Sequence, residues 1–246
     1  MEENLICGLH AVLAALKNNP QGVEEIWTSD SRADKRIGRI IEIARAGRVK
    51  IHKTPRAALD RMVEGVRHQG VVARLRATPV RNEHDLEVFL ANLPEQPLLL
   101  VLDGVQDPHN LGACLRSADA AGVQAVILPR EHTAPLSAVA RRAASGAAES
   151  LVIFQVINLA RCLRALKVAG IWLVGASQEA ETDIYRADLR RPMALVLGGE
   201  GKGLRRLTQE ECDMQVRIPM AGTVESLNVS VAAGVCLFEV VRQRGV

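Results

Sequence analysis

The sequence predicts an α/β fold in two parts, a small mixed domain followed by a larger one built on a parallel sheet. Three observations carry that expectation. Short apolar runs alternate with helical periodicity through both parts. Between residues 77 and 97 the pattern lapses into Thr78-Pro79, a charged polar stretch and Pro94-Glu95-Gln96-Pro97, which reads as an interdomain linker, although residues 85–91 have the pattern of a short helix. Beyond it the strands are apolar throughout rather than alternating, as happens when both faces of a parallel sheet are covered. The divisions are thus 1–76, a linker at 77–97, and 98–246.

In chain order, the front part reads as a helix over 10–18, a strand over 23–28, a helix over 33–46, and short strands at 49–52 and 70–75 on either side of a third helix. The rear part carries strands at 98–102, 123–128, 151–155, 171–174, 194–197 and 214–218, with helices that include 111–121, 135–145, 159–169 and 226–241. Leu227, Val231, Val235 and Phe238 make the last helix apolar nearly all round. It is therefore buried in its own domain or against a second copy. The sequence holds no internal repeat and no low-complexity tract.

Composition narrows the function classes. A chain of 246 residues with 48% hydrophobic content is globular rather than disordered. No apolar run is long enough to span a bilayer, and Met1-Glu2-Glu3-Asn4 lacks the basic front of a secretory signal, so a cytoplasmic protein without membrane attachment is expected. Cys7, Cys114, Cys162, Cys212 and Cys236 form no Cys-x-x-Cys pair and read as small buried thiols. Residues 1–81 hold 15 Lys and Arg against 9 Asp and Glu, whereas residues 82–246 hold 16 against 19. The front half is the half suited to a polyanion, and eleven of its cations are arginines with planar forks for phosphate. Charge alone is equally compatible with solvated helix faces.

The densest signal lies near the C-terminus. Leu195-Val196-Leu197 runs into Gly198-Gly199-Glu200-Gly201-Lys202-Gly203, an apolar strand opening into a loop with four glycines in six residues. Such a loop lets backbone approach a ligand closely. Two nucleotide loops fail here. A Walker loop would need glycine where Val196 stands and a hydroxyl where Gly203 stands. A dinucleotide loop needs Gly-x-Gly-x-x-Gly and an acidic end to the next strand, whereas the spacing is Gly-x-Gly-x-Gly and the next run ends in Ile218-Pro219.

Candidate chemistry gathers around this loop and one other. Asp103 to Arg116 follows the first strand of the rear part, the position at which open parallel sheets hold ligands. Asn110 either caps the following helix or serves a site. Arg116 sits about two turns along, aimed into a cleft or held in a surface ion pair. Glu200 either orients a partner or is merely solvated. Ser226 and Asn228 stand at the entry of the last helix, where one of them serves as cap. His68 and His109 belong to no pair with metal-ligand spacing, so no metal is expected.

Asn110-Leu111-Gly112-x3-Arg116, then Leu197-Gly198-x-Glu200-Gly201-x-Gly203-Leu204, then Ile218-Pro219-Met220 with Ser226-Leu227-Asn228-Val229-Ser230, resemble in order the three motifs of the TrmH branch of the SPOUT superfamily. Gly8-Leu9-His10-Ala11-Val12 and Arg67-His68-Gln69-Gly70-Val71-Val72-Ala73 resemble the L30e-like RNA-binding domain found at the front of that branch. Cys7 departs from the pattern where an aromatic residue is usual, which bears on local packing or RNA stacking.

The resemblance implies a SPOUT domain closed by a trefoil knot, an exception to unknotted topology. It implies S-adenosylmethionine as methyl donor, the adenosine lying against Gly198, Gly199, Ile218, Met220 and Leu227. It further implies a homodimer, with transfer to the ribose 2′-hydroxyl of a guanosine in 23S ribosomal RNA, free or in an assembling large subunit. Arg116 takes the place of the residue that handles the hydroxyl, with Glu200, Ser226, Asn228 and Asn110 around it, while His10, Arg67, His68 and Gln69 would meet RNA. A tRNA guanosine 2′-O-methyltransferase of the same branch is the alternative, less favoured because those enzymes generally lack such a front domain. A non-catalytic RNA-binding protein would have lost Arg116 or the glycine loop, and neither is lost.

Overall fold

The computed structural model describes residues 5–18, 20–30, 35–63, 66–76, 81–201 and 203–245. The acidic start, the first residues of the helix expected over 33–46, positions 77–80 of the expected linker and Lys202 of the glycine loop lie outside the described residues. Contacts divide the chain into two units, Met1–Pro79 with Pro135–Ser150, and Val80–Ala134 with Leu151–Val246.

The first unit runs β1 (Leu5–Cys7), α1 (Leu9–Asn18), β2 (Val23–Ser29), α2 (Lys35–Ala46), β3 (Lys50–Thr54), α3 (Arg56–Met62) and β4 (Val71–Leu75). Its sheet has the order β1-β4-β2-β3, with β4 antiparallel to both neighbours and β2 parallel to β3. Alternation decides the faces. Ile6, Ile26, Val71 and Ala73 bury against Val12, Leu16, Ile40 and Ala44 of α1 and α2. The intervening Leu5, Cys7 and Val72 pack with Leu59 of α3. β1 escapes sequence reading because three residues show no period.

The second unit contains α4 (Glu83–Leu90), β5 (Leu98–Asp103), α5 (Pro108–Ala120), β6 (Ala125–Pro129), β7 (Val152–Val156), α8 (Leu159–Val168), β8 (Trp172–Ala176), β9 (Thr182–Asp183), β10 (Met193–Gly198), α9 (Arg206–Glu211), β11 (Met214–Arg217) and α10 (Val229–Arg244). Seven strands lie in the order β7-β6-β5-β10-β8-β11-β9, and every pairing is parallel. Leu99, Val101, Ala194 and Val196 share one buried cluster with Leu163 and Leu166 of α8. The alternate residues Leu100, Leu102, Leu195 and Leu197 are equally buried. This is why the strands read as continuous apolar runs.

Two boundaries differ from the sequence reading. Residues 81–97 belong with the second unit rather than forming a free linker. The Asn82 side chain accepts from the N–H groups of His84 and Asp85, and Asp85 accepts from Asn82 in return, a capping box that starts α4. α4 then buries Leu86 and sets Phe89 against Phe154 at 5.2 Å between centroids. At the end of this stretch Arg244 donates to the carbonyls of Gln96 and Pro97. The second difference is that Pro135–Ser150, with α6 (Ala138–Ala144) and α7 (Ala147–Ser150), groups with the first unit although it lies between β6 and β7 in sequence. The helix expected over 135–145 begins only after Ser137, which caps it.

Candidate active site

The chain builds β5, β6 and β7 toward one edge of the parallel sheet, then crosses to β8 and inserts β10 between β5 and β8. Strand order therefore reverses at the β5–β10 pair, where the loops at the carboxyl ends part and leave a crevice. The loops after β5, β8, β10 and β11 converge there.

A cavity of about 520 Å³, a size suited to a small cofactor, lies beside that pair at the carboxyl ends of β10, β8 and β11, and the loop after β5 does not line it. All five residues expected to hold the donor, Gly198, Gly199, Ile218, Met220 and Leu227, line it, as do Glu200 and Ser226. Leu197, Leu204 and Val229 supply further apolar wall. Ser177, Gln178 and Glu179 after β8, and Glu225, add polar groups that the sequence reading missed. Nothing in the local sequence of residues 177–179 distinguishes them, and the pairing of β8 with β10 and β11 brings them to the cavity, whereas Glu225 adjoins Ser226.

Gly198 and Gly199 line the cavity and also lie against the protein's own backbone. A Cβ on Gly198 would lie 1.9 Å from the Gly203 carbonyl carbon, and one on Gly199 would lie 2.1 Å from the Gly104 oxygen. Backbone meets backbone within the protein, and the loop can fold on itself only without side chains at these points.

Three segments far apart in sequence meet through their side chains. The Asn110 Nδ2 donates to Glu200 Oε1 at 2.7 Å, and the Asn228 Nδ2 donates to Asn110 Oδ1 at 2.9 Å. Asn228 Oδ1 accepts from the Ser230 N–H at 2.9 Å and its hydroxyl at 2.7 Å, capping α10. Glu200 Oε2 accepts from the Gln106 N–H at 3.2 Å. Partial burial pushes the Glu200 carboxyl up, but the Asn110 amide and the N–H groups of Glu200, Gln106 and Asp107 outweigh it and hold the group below the usual carboxylate range. An ionised Glu200 accepts only, so the orientation of both amides along the chain follows from it.

Other candidates fall out differently. Asn110 does not cap α5; Asp107 does, accepting from the His109 N–H at 2.8 Å, which leaves Asn110 free for Glu200. Ser226 precedes α10 as a cavity residue, the cap being Asn228. Arg116 lies on the exposed face of α5, does not line the cavity and has no hydrogen bond or ion pair among the described residues. Burial pushes the Cys114, Cys162, Cys212 and Cys236 thiols up to about 12, which leaves them protonated and unreactive near neutrality. Among the described residues no group of His, Cys, Asp or Glu is placed to hold a metal, and no helix is long and apolar enough to cross a membrane.

In the first unit the two motifs quoted above meet. Gly8 donates its N–H to the Val71 carbonyl and Leu9 donates to Gln69 Oε1 at 3.1 Å. His10, Arg67 and Gln69 are exposed. His68 is not: it is buried, its Nδ1 accepts from the Gly70 N–H at 3.0 Å, and its Nε2 therefore donates to Asp60 at 2.9 Å. With both ring nitrogens used internally, His68 shapes the turn rather than touching RNA. Cys7 is likewise buried, so its departure from the family pattern concerns packing and not stacking on a base.

A family model described as the SpoU rRNA Methylase family matches residues 97–238, and one described as RNA 2′-O ribose methyltransferase substrate binding matches residues 5–80. The 23S rRNA (guanosine-2′-O-)-methyltransferase RlmB of Yersinia pestis is 54% identical over 241 residues, covering 98% of this chain and 98% of that protein. Its counterpart of the same name in Shewanella oneidensis is 51% identical over 243 residues, covering 99% and 98%. Among solved structures, the SpoU methyltransferase AviRb from Streptomyces viridochromogenes in complex with the cofactor AdoMet is similar with a TM-score of 0.80 and 27% identity, over 98% of this chain and 90% of that one.

Proposed function

The chain belongs to the SpoU rRNA methylase family, and from that membership we propose that it transfers a methyl group from S-adenosylmethionine to the ribose 2′-hydroxyl of a guanosine in 23S ribosomal RNA. One observation supports this most: the Asn228–Asn110–Glu200 chain joins all three motif segments beside a cavity of cofactor size.

S-adenosylmethionine, when bound, supplies an electrophilic methyl on a sulfonium; the remaining work falls to this chain's residues. Leu197, Ile218, Met220 and Leu227 would hold the donor between apolar walls that exclude water, with the loop backbone at Gly198 and Gly199 beside it. Glu200, held ionised, orders Asn110 and Asn228 at the rim. Arg116 meets the RNA. Its planar guanidinium carries donors and no acceptor, so it orients the hydroxyl and the neighbouring phosphate in preference to taking the proton itself.

The first unit binds the RNA substrate through its arginine-rich surface, with His10, Arg67 and Gln69 exposed near one turn. α10 turns Val231 and Phe238 outward, each about half exposed, and these form a homodimer interface. The glycine loop and the Ile218 loop are parts of the trefoil knot in this reading. The protein acts in the cytoplasm on naked rRNA or an assembling large subunit. A tRNA substrate is the weaker reading, because the 5–80 match belongs to a substrate-binding domain that such enzymes generally lack.

Incubating the full chain with labelled S-adenosylmethionine and either unmodified 23S rRNA or unmodified tRNA, then mapping ribose methylation, tests the proposal. A single methylated guanosine is expected; labelling of tRNA instead, or of neither RNA, would overturn it. Deleting residues 1–76 is a poor test of the domains, since α6 and α7 pack with that unit.

A further inference from the structure

Both ends of the glycine loop are fastened to one buried residue. Gly199 donates its N–H to the Asp103 carbonyl at 2.9 Å. At the other end Arg205 donates its backbone N–H to Asp103 Oδ2 at 3.1 Å and its Nε to Oδ1 at 2.5 Å, with Nη2 also against Oδ1. The Asp103 side chain is wholly buried, while that of Arg205 is about half exposed. Between these anchors, Glu200, Gly201, Gly203 and Leu204 line the cavity, and neither Asp103 nor Arg205 does.

The residue types fit this purpose and little else. Arg205 occupies the N-cap position of α9 without making a side-chain cap bond, and a cation at a helix start is opposed by the dipole. Its guanidinium instead turns back to the end of β5. A carboxylate with no exposed atom needs a hydrogen-bonded countercharge, and a planar fork together with the adjacent backbone N–H gives it both. Since Asp103 also begins the segment that carries Gln106, Asp107 and Asn110, the clamp sets the spacing of the two loops across which Glu200 reaches Asn110.

We propose that Asp103 and Arg205 are a positioning pair that holds the glycine loop in its donor-binding shape. The inference rests on the methyl-donor reading given above. Neither residue touches the donor; both act through Gly199–Leu204.

The test titrates the full-length protein with S-adenosylmethionine, and separately with a 23S rRNA transcript. Arg205→Gln is expected to weaken donor binding by about tenfold or more while leaving transcript affinity within about twofold, and Arg205→Lys to recover most of the loss. Adding Asp103→Asn to Arg205→Gln should cost no further donor affinity, because both changes break one contact. Donor affinity within about twofold of wild type in a folded Arg205→Gln protein, or equal losses for donor and transcript, would overturn the pair. If Arg205→Gln does not fold, Asp103→Asn decides: a donor loss of about tenfold with transcript affinity within about twofold supports the clamp, and donor affinity within about twofold of wild type overturns it. A wild-type chain that fails to bind the donor would instead overturn the cofactor reading.

Discussion

Asn110 and Glu200, 90 residues apart in sequence, share a 2.7 Å hydrogen bond, with Asn228 donating to the same Asn110 from a third segment. An acceptor-only carboxylate at one end of that chain fixes which way each amide faces. Glu200→Gln puts an amide donor opposite the Gln106 N–H. Methylation should fall by about ten- to hundredfold, measured at saturating donor and RNA.

The depressed pKa of Glu200 gives a signed pH dependence. A carboxyl held low in the folded state stabilises it at pH values above the unfolded pKa, and that contribution is lost as pH falls through the folded value. Melting temperature followed from pH 7 downward should therefore drop in the acid range below the reference value of 4.5 more steeply for wild type than for Glu200→Gln. Parallel curves would show that the network does not contribute.

Arg116 stands apart from the cavity and without a partner among the described residues. Its replacement by alanine should leave donor affinity and melting temperature unchanged and lower methylation by about a hundredfold or more. Donor titration beside single-turnover methylation separates the two effects; near-normal turnover would remove Arg116 from the chemistry.

The glycines make different demands. Gly199→Ala drives a Cβ to 2.1 Å from the Gly104 oxygen and should cost about 1–3 kcal/mol with loss of donor binding. Gly201→Ala meets nothing within 4 Å but must hold φ at +76°. About 1 kcal/mol is expected there. Thermal unfolding ranks the two.

His68 and Arg67 are neighbours with opposite exposure. His68→Ala should cost about 1–3 kcal/mol of stability by stranding the Gly70 N–H. Arg67→Ala should leave stability alone, weaken transcript binding and reduce the salt slope of binding by about one. Equal stability losses for both would contradict this division.

Val231 and Phe238 face outward from α10, each about half exposed. Phe238→Asp should shift the sedimentation coefficient from dimer to monomer with helix content retained. Wild-type protein sedimenting as a monomer would end the dimer proposal.

Amino-acid order alone determined a good deal here. The central strands of the parallel sheet are legible because residues buried on both faces leave an unbroken apolar run, and β5, β6, β8 and β10 carry one, whereas β7 is broken by Gln155 and β11 by Gln215 and Arg217. The cavity residues of the glycine loop and the 218–227 segment were legible because their motifs are contiguous. Tertiary structure decided what depends on neighbours distant in the chain. Only the folded chain shows that Asn110 binds Glu200 instead of capping α5, that His68 is spent inside the domain, that Gly198 and Gly199 accommodate the protein's own backbone, and that Asp103 holds both ends of their loop. A periodicity records which face of an element is dry. Hydrogen-bond partners brought together by strand pairing leave no such trace, because one strand's sequence carries no record of which strand lies beside it.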